Sequence, residues 1–185
     1  TVSGRTWEDF VTERILRPVG MREATVVHSD AGAQGNVTGT HARVEGKMVA
    51  VAPFLSDNTN PAGGINAGAN DMARWMVALL DSGRVGSGRL WSQRTARELW
   101  EMVTPIRPGN PAPELAPLRA NFNGYGLGLG IRDYRGHKML THTGGLPGYV
   151  SRVAMLPDQR IGVVVLTNQE SGAAFNVLTH RILGH

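Results

Sequence analysis

Between two β-like stretches the chain places His142-Thr143-Gly144-Gly145, inside the run LTHTGGLPGYVSRVAMLPDQRIGVVVLTN that spans 140–168. An imidazole takes up or releases a proton near neutral pH. Thr143 adds a hydroxyl beside it. Two glycines strip the backbone of side chains, so a ligand can approach closely and φ > 0 is accessible. A backbone N–H presented there can donate to an oxygen that gains negative charge during reaction, an interaction often worth about 3–4 kcal/mol. The segment therefore reads as one wall of an active site. The same residues would also serve a hairpin-like turn with an exposed His, and the local sequence does not separate the two.

Other chemistry-bearing residues point less far. His28, His41, His137, His142, His180 and His185 include no H-E-x-x-H or other ligand spacing, so neither a metal nor any other cofactor is expected. His180 and His185 instead suit a helix C-terminus and its dipole. Asp71 and Glu101 could be taken as an acid/base pair, but read better as a first-turn helix carboxylate and a solvated side chain. GYGLGLG (124–130) lacks the Lys-Ser/Thr ending and following helix of a phosphate loop. Gly63 and Gly64 suit either a close approach to the site or a tight turn. Asn66 carries no assigned role.

The elements that must hold the 142–145 wall follow from periodicity and stop signals. Thr6 to Arg17 reads as a helix capped by Thr6, with Trp7, Phe10, Val11 and Ile15 on one face and Pro18 and Gly20 ending it. A short hairpin turning at Glu45-Gly46 is expected within 39–53. Asn70 to Asp81 is a second helix, capped by Asn70 and striped by Met72, Trp75, Met76 and Leu79. Ser92 to Val103 is a third, followed by a Pro-rich surface loop. From Gly124 the pattern turns to strands: 124–134, then Lys138–Thr143, Tyr149–Leu156 and Ile161–Thr167. Ser171 to Leu183 closes the chain as a helix. The expectation is an α+β fold, an antiparallel meander flanked by helices. Ile161–Leu166, apolar on both faces, is expected to be a central strand covered on both sides.

The totals bound the rest. At 185 residues the chain is about one domain, with 41% hydrophobic and 18% charged residues and a Gly and Pro content (24 and 10) that implies many turns. The formal charge of +4 is nearly all Arg, with only Lys47 and Lys138 as lysines. No basic run occurs, which argues against a nucleic-acid surface. The absence of cysteine removes disulfides, thiol chemistry and Cys-based zinc sites. No apolar run approaches the ~18 residues of a membrane span.

Taken together and in order, several segments resemble the C-terminal part of the serine β-lactamase-like family: class C β-lactamases, penicillin-binding proteins, and related esterases and D-amino-acid peptidases. TWEDFVTERILRPVGM resembles the helix ending in a "PLGM" signature, and NPAGGINAGANDMARWMVALL the "AGG…S…D" loop and its helix. YGLGLG, followed by HTGGLPGYVSRVAMLPDQRIGVVVLTNQE, resembles the last strands. The family works with S-x-x-K, Y-x-N and a K-T-G strand, the last often with His for Lys. His142-Thr143-Gly144 fits that third motif. The resemblance implies catalytic roles for His142 and for Gly145, whose N–H would be one oxyanion-hole donor, and places Thr143 and Gly144 against the substrate.

The first two motifs are missing: Lys47 follows Val44 and Lys138 follows Arg135 at the S-x-x-K spacing, and none of Tyr125, Tyr134 and Tyr149 begins Y-x-N. In the family both lie upstream of the "PLGM" helix. Residues 1–185 are thus expected to be the C-terminal part of a single domain, with the nucleophile outside them and no acyl transfer by the chain alone. The implied substrate is a small ester, amide or β-lactam, and His in place of Lys favours esterase or peptidase. The implied partner is the N-terminal half of the same domain or a self-association partner at an unpaired sheet edge. The implied setting is bacterial, periplasmic or exported. The alternative is a non-catalytic module on the same fold that recognises a cell-wall-like peptide or a protein.

Overall fold

A computed structural model describes residues 2–30, 35–54 and 56–184. The chain divides into two compact units. Unit 1 takes the residues up to Trp75, Thr143–Arg152 and those from Val164 onward; unit 2 takes Met76–His142 and Val153–Val163.

Unit 1 opens with the expected helix in a modified form. The Thr6 hydroxyl accepts the Asp9 N–H at 3.1 Å and caps helix α1 (Trp7–Val11). A π turn (Thr12–Leu16) follows, then a final turn α2 (Arg17–Val19) ending at Gly20 with φ +80°. The wider turn shifts the phase of the buried stripe. Val11, Leu16 and Val19 are buried, whereas Phe10, placed on the apolar face by a 3.6-residue period, is exposed. The predicted hairpin forms from β1 (Thr40–Val44) and β2 (Lys47–Val51). Glu45 and Gly46 both have positive φ, 47° and 80°, as a two-residue turn matched to strand twist requires.

The short helix α3 (Asn60–Gly63) precedes α4 (Ala69–Leu80). Asn70 lies inside the first turn of α4 and is not its cap. Asp71 holds that turn instead: its buried carboxylate accepts the Glu23 N–H at 3.0 Å and the Arg74 guanidinium at 2.8 Å. At the end of the chain, the Ser171 hydroxyl caps α6 (Gly172–Leu183) by accepting from the Ala174 N–H. His180 does sit in the last turn, with Nδ1 2.8 Å from the Asn176 carbonyl; His185 lies outside the described residues.

In unit 2, a small hairpin β3 (Arg84–Val85) and β4 (Gly88–Arg89) leads to α5 (Gln93–Leu99), capped by Ser92 as expected but one turn shorter than predicted. β5 (Thr104–Pro105) and a 3₁₀ segment (Pro113–Leu118) follow. The run predicted as one strand from Gly124 is two, β6 (Asn123–Tyr125) and β7 (Gly130–Tyr134). Gly126 donates its N–H to Leu129 O and Gly128 adopts φ +83°, so the glycines reverse the chain. β7 turns at Arg135-Gly136, both at positive φ, into β8 (His137–Leu146). Ile131, Met139, Leu140, Ala154 and Met155, each at most 2% exposed, form the core of this unit.

With β9 (Tyr149–Leu156) and β10 (Ile161–Thr167), the sheet has six strands in the order β10-β9-β8-β7-β6-β5. Every neighbour in space is a neighbour in sequence. β5, β6, β7 and β8 pair antiparallel in turn, and the connections from β8 to β9 and from β9 to β10 are too short for parallel crossovers, so the sheet is the expected antiparallel meander. One expectation fails: β10 is an end strand and not a central one among the described residues, and its Ile161 and Leu166 are 47% and 40% exposed. Apolarity on both faces reports coverage of the faces and says nothing about whether the edge is paired.

The end of the Pro-rich loop and the two residues leading into β6 are tied to β7 by two adjacent side chains. Asp133 accepts the backbone N–H groups of Asn121 (2.6 Å) and Phe122 (3.0 Å) and the Asn121 side-chain amide (2.7 Å), while Arg132 donates to Leu118 O. Burial opposes the charge on Asp133, but these donations outweigh it and hold its pKa below the usual 3.8. A depressed carboxylate pKa adds stability that is complete above the unfolded value and is lost as pH falls through the folded one. Asp133→Ala should therefore lower unfolding free energy by about 2–3 kcal/mol at pH 7. The difference should shrink as pH is lowered through the depressed pKa, as urea midpoints of both proteins against pH would show.

Candidate active site

The predicted wall lies in the second half of β8. Pairing of β7 with β8 runs from Tyr134↔His137 to Gly130↔Thr141 and stops there. β8 continues to Leu146, then turns through Pro147-Gly148 into β9. The turn fixes the register. A two-residue connection sets Leu146 opposite Tyr149 as a hydrogen-bonded pair. Counting back puts Gly144 opposite Ser151 and His142 opposite Val153. The packing agrees, since a Cβ on Gly144 would lie 2.5 Å from Ser151 Oγ.

Alternation then assigns the backbone groups. Leu146, Gly144 and His142 direct their N–H and C=O toward β9. Thr143 and Gly145 direct theirs to the opposite edge. β7 is the strand on that side among the described residues, and its pairing ends at Thr141. The four predicted residues thus occupy one strand end, with the Thr143 and Gly145 amides at an edge that β7 leaves open. Nothing stands within 4 Å of where a Gly145 Cβ would be.

The side chains around this strand separate by unit. In unit 2, the exposed His142 ring lies 6.3 Å from the Tyr125 ring at 55°. Tyr125 is paired with Gly130, which is paired with Thr141, so two strand steps bring it near. In unit 1, a Cβ on Gly63 would touch Leu146 at 3.5 Å, so the loop before α4 does reach the end of β8. Gly64 serves packing: its Cβ would collide with buried Asn60 at 2.6 Å. Asn66 donates to Gly64 O at 3.1 Å and bridges to Thr25, which gives it a turn-holding role. Glu101 is exposed, and no group of three ionisable or ligating side chains among the described residues could hold a metal ion.

The turn beyond the wall is held from outside. Gly148 has φ +81°, and a Cβ there would lie 2.4 Å from Thr40 Cβ. Its N–H donates to Glu170 Oε1 at 2.8 Å. The Tyr149 hydroxyl donates to Thr38 O at 2.6 Å, and burial raises its pKa above the usual 10.0, which keeps it a donor. Sequence reasoning missed Tyr125, Ser151 and Glu170. Ser151 was within reach by counting across the two-residue turn; the other two depend on approaches between distant segments.

A family model described as β-lactamase matches residues 1–184. The chain is similar to an unguisins hydrolase of Aspergillus campestris, 26% identical over 176 residues that cover 91% of this chain and 30% of the relative. It is similar to a D-aminopeptidase of Brucella anthropi, 27% identical over 175 residues covering 93% and 29%. It therefore spans about 30% of the length of these curated relatives. Among solved structures, an octameric penicillin-binding protein homologue from Pyrococcus abyssi aligns with TM-score 0.78 and 20% identity, over 99% of this chain and 39% of that one. A D-stereospecific amidohydrolase from Streptomyces aligns with TM-score 0.72 and 21% identity, over 100% and 50%. At such identities these two likenesses speak to the fold.

The Gly144–Ser151 contact gives a direct check on the register. Gly144→Ala should cost about 1–2 kcal/mol through overpacking. Ser151→Ala should be near neutral, and the double variant should recover most of the loss, because Ser151 Cβ lies 3.9 Å from the added methyl position. Urea unfolding of the four proteins measures the coupling.

Proposed function

Because the chain belongs to the β-lactamase family, we propose that the protein carrying it is a serine hydrolase that cleaves amide bonds through an acyl-enzyme, with D-amino-acid amides or peptides as its substrates. The observation that carries the reading is the open edge of β8 beyond Thr141, where the Thr143 and Gly145 backbone groups have no strand partner among the described residues. A substrate laid along that edge is held as an added strand would be.

In this reading the Gly145 N–H donates to the carbonyl oxygen as the tetrahedral intermediate forms. The second donor is the N–H of the nucleophilic serine, which lies outside residues 1–185, since no Ser-x-x-Lys occurs within them. Gly144 and Thr143 line the substrate. His142, exposed at the end of the pairing with β7, exchanges protons or hydrogen-bonds at the leaving-group side. A Lys there would present an ammonium as a compact, fixed charge to a substrate carboxylate, which the imidazole of His142 does not reproduce. That difference favours peptides and esters over β-lactams. The D-aminopeptidase relative supports the choice of substrate class.

The test uses the full-length protein. It should hydrolyse a D-alanyl p-nitroanilide, and His142→Ala should lower kcat/KM about 100-fold. His142→Lys should shift preference several-fold toward a penicillin, whose carboxylate the new ammonium would hold. A fluorophosphonate should add one adduct mass, located by peptide mapping outside residues 1–185. An adduct on a serine within these residues, or no hydrolysis and no labelling, contradicts the proposal; the latter outcome favours the non-catalytic binding module.

A further inference from the structure

We propose that Glu170 is a positioning residue for the oxyanion wall, an inference that rests on the role given to Gly145 above. The argument starts from the turn. Alternation past the β7 pairing directs the Gly145 N–H to the open edge, and the Pro147-Gly148 connection must keep its two-residue form for β9 to hold Gly144 and Leu146 in the matching register. Nothing within such a short turn fixes it against the rest of the molecule. In unit 1 that task falls to side chains from two distant segments.

Glu170 Oε1 accepts the Gly148 N–H at 2.8 Å. Glu170 is itself placed by its own N–H, which donates to His41 O at 3.3 Å, and His41 N–H donates to Asn168 O at 3.1 Å. The Asn168 amide donates to Thr38 Oγ1 at 2.8 Å, and Thr38 O receives the Tyr149 hydroxyl. Thr40 closes the other side, filling the space a Gly148 side chain would need. The turn is thus gripped between 38–41 and 168–170, and among the described residues the Glu170 carboxylate is the side chain that bonds its backbone N–H. A carboxylate acceptor of a backbone N–H is a stronger hold than a neutral one.

The geometry requires an acceptor at that point, which Gln can supply and Ala cannot. In the full-length protein, Glu170→Ala should lower kcat for the D-alanyl anilide about tenfold with KM changed less than twofold, since small misplacements at a reacting centre are expensive in rate. Glu170→Gln should restore kcat to within about twofold. In ¹H–¹⁵N spectra, the Gly145 and Gly148 cross-peaks should move in the Ala variant and return in the Gln variant. The proposal is overturned if Glu170→Ala leaves kcat and the Gly145 cross-peak unchanged, or if Gln fails to restore either. It is also overturned if the Ala variant loses only stability, with kcat per folded molecule retained. Should the wild-type protein prove inactive, the functional reading fails, and the Gly145 cross-peak alone decides whether Glu170 positions the strand.

Discussion

The turn at Pro147-Gly148 is the constraint on which the site depends. A two-residue connection leaves one register for β8 against β9, and this register agrees with the alternation set by the β7 pairing in deciding which amides face a neighbour and which face outward. Gly148 makes it possible: at φ +81° with Thr40 against its α-carbon, no other residue fits without strain. From this follow the Gly144–Ser151 pair, the outward Gly145 N–H, and the role proposed for Glu170. β7 completes the arrangement by ending its pairing at Thr141. Had it run four residues further, the outward amides would be ordinary ladder groups with nothing to offer a ligand.

The glycines of this region divide the labour. Gly144 is small because Ser151 is opposite; Gly145 is small where nothing crowds it. The first is a packing requirement and the second leaves room for a ligand. A sequence reading treats both as open space, and the structure separates them. The side chains at the strand end are likewise of two kinds: Tyr125 and His142 lie ring to ring within unit 2, while Leu146 meets Gly63 within unit 1. Membership of the β-lactamase family accounts for the order of these elements along the chain. The chain covers only about 30% of its curated relatives.

Much of the fold was legible because it is written locally. The strands Tyr149–Leu156 and Ile161–Thr167 lie between turn residues, and the Glu45-Gly46 hairpin and the Thr6, Ser92 and Ser171 caps are short-range hydrogen-bonding choices. Failures came where one more residue or a distant partner intervenes. The π turn at Thr12–Leu16 moved burial from Phe10 to Leu16, which a fixed period cannot anticipate. The glycines at 126 and 128 look like strand residues until the chain is seen to reverse at them. β10 read as central because its faces are apolar, but edge pairing leaves no mark on face patterning. Of the proposed site, the motif 142–145 is visible in the sequence and the open edge of its strand is not, because that edge depends on where β7 stops.

The central claim, that the Thr143 and Gly145 amides face an edge prepared for a ligand, is tested most directly by residue-resolved amide hydrogen exchange. The account predicts fast exchange at Thr143 and Gly145 and slow exchange at Gly144 and Leu146 in the free protein, with Gly145 becoming protected when a phosphonate transition-state analogue is bound to the full-length protein. Slow exchange at Gly145 without ligand, or no protection on binding, would contradict it.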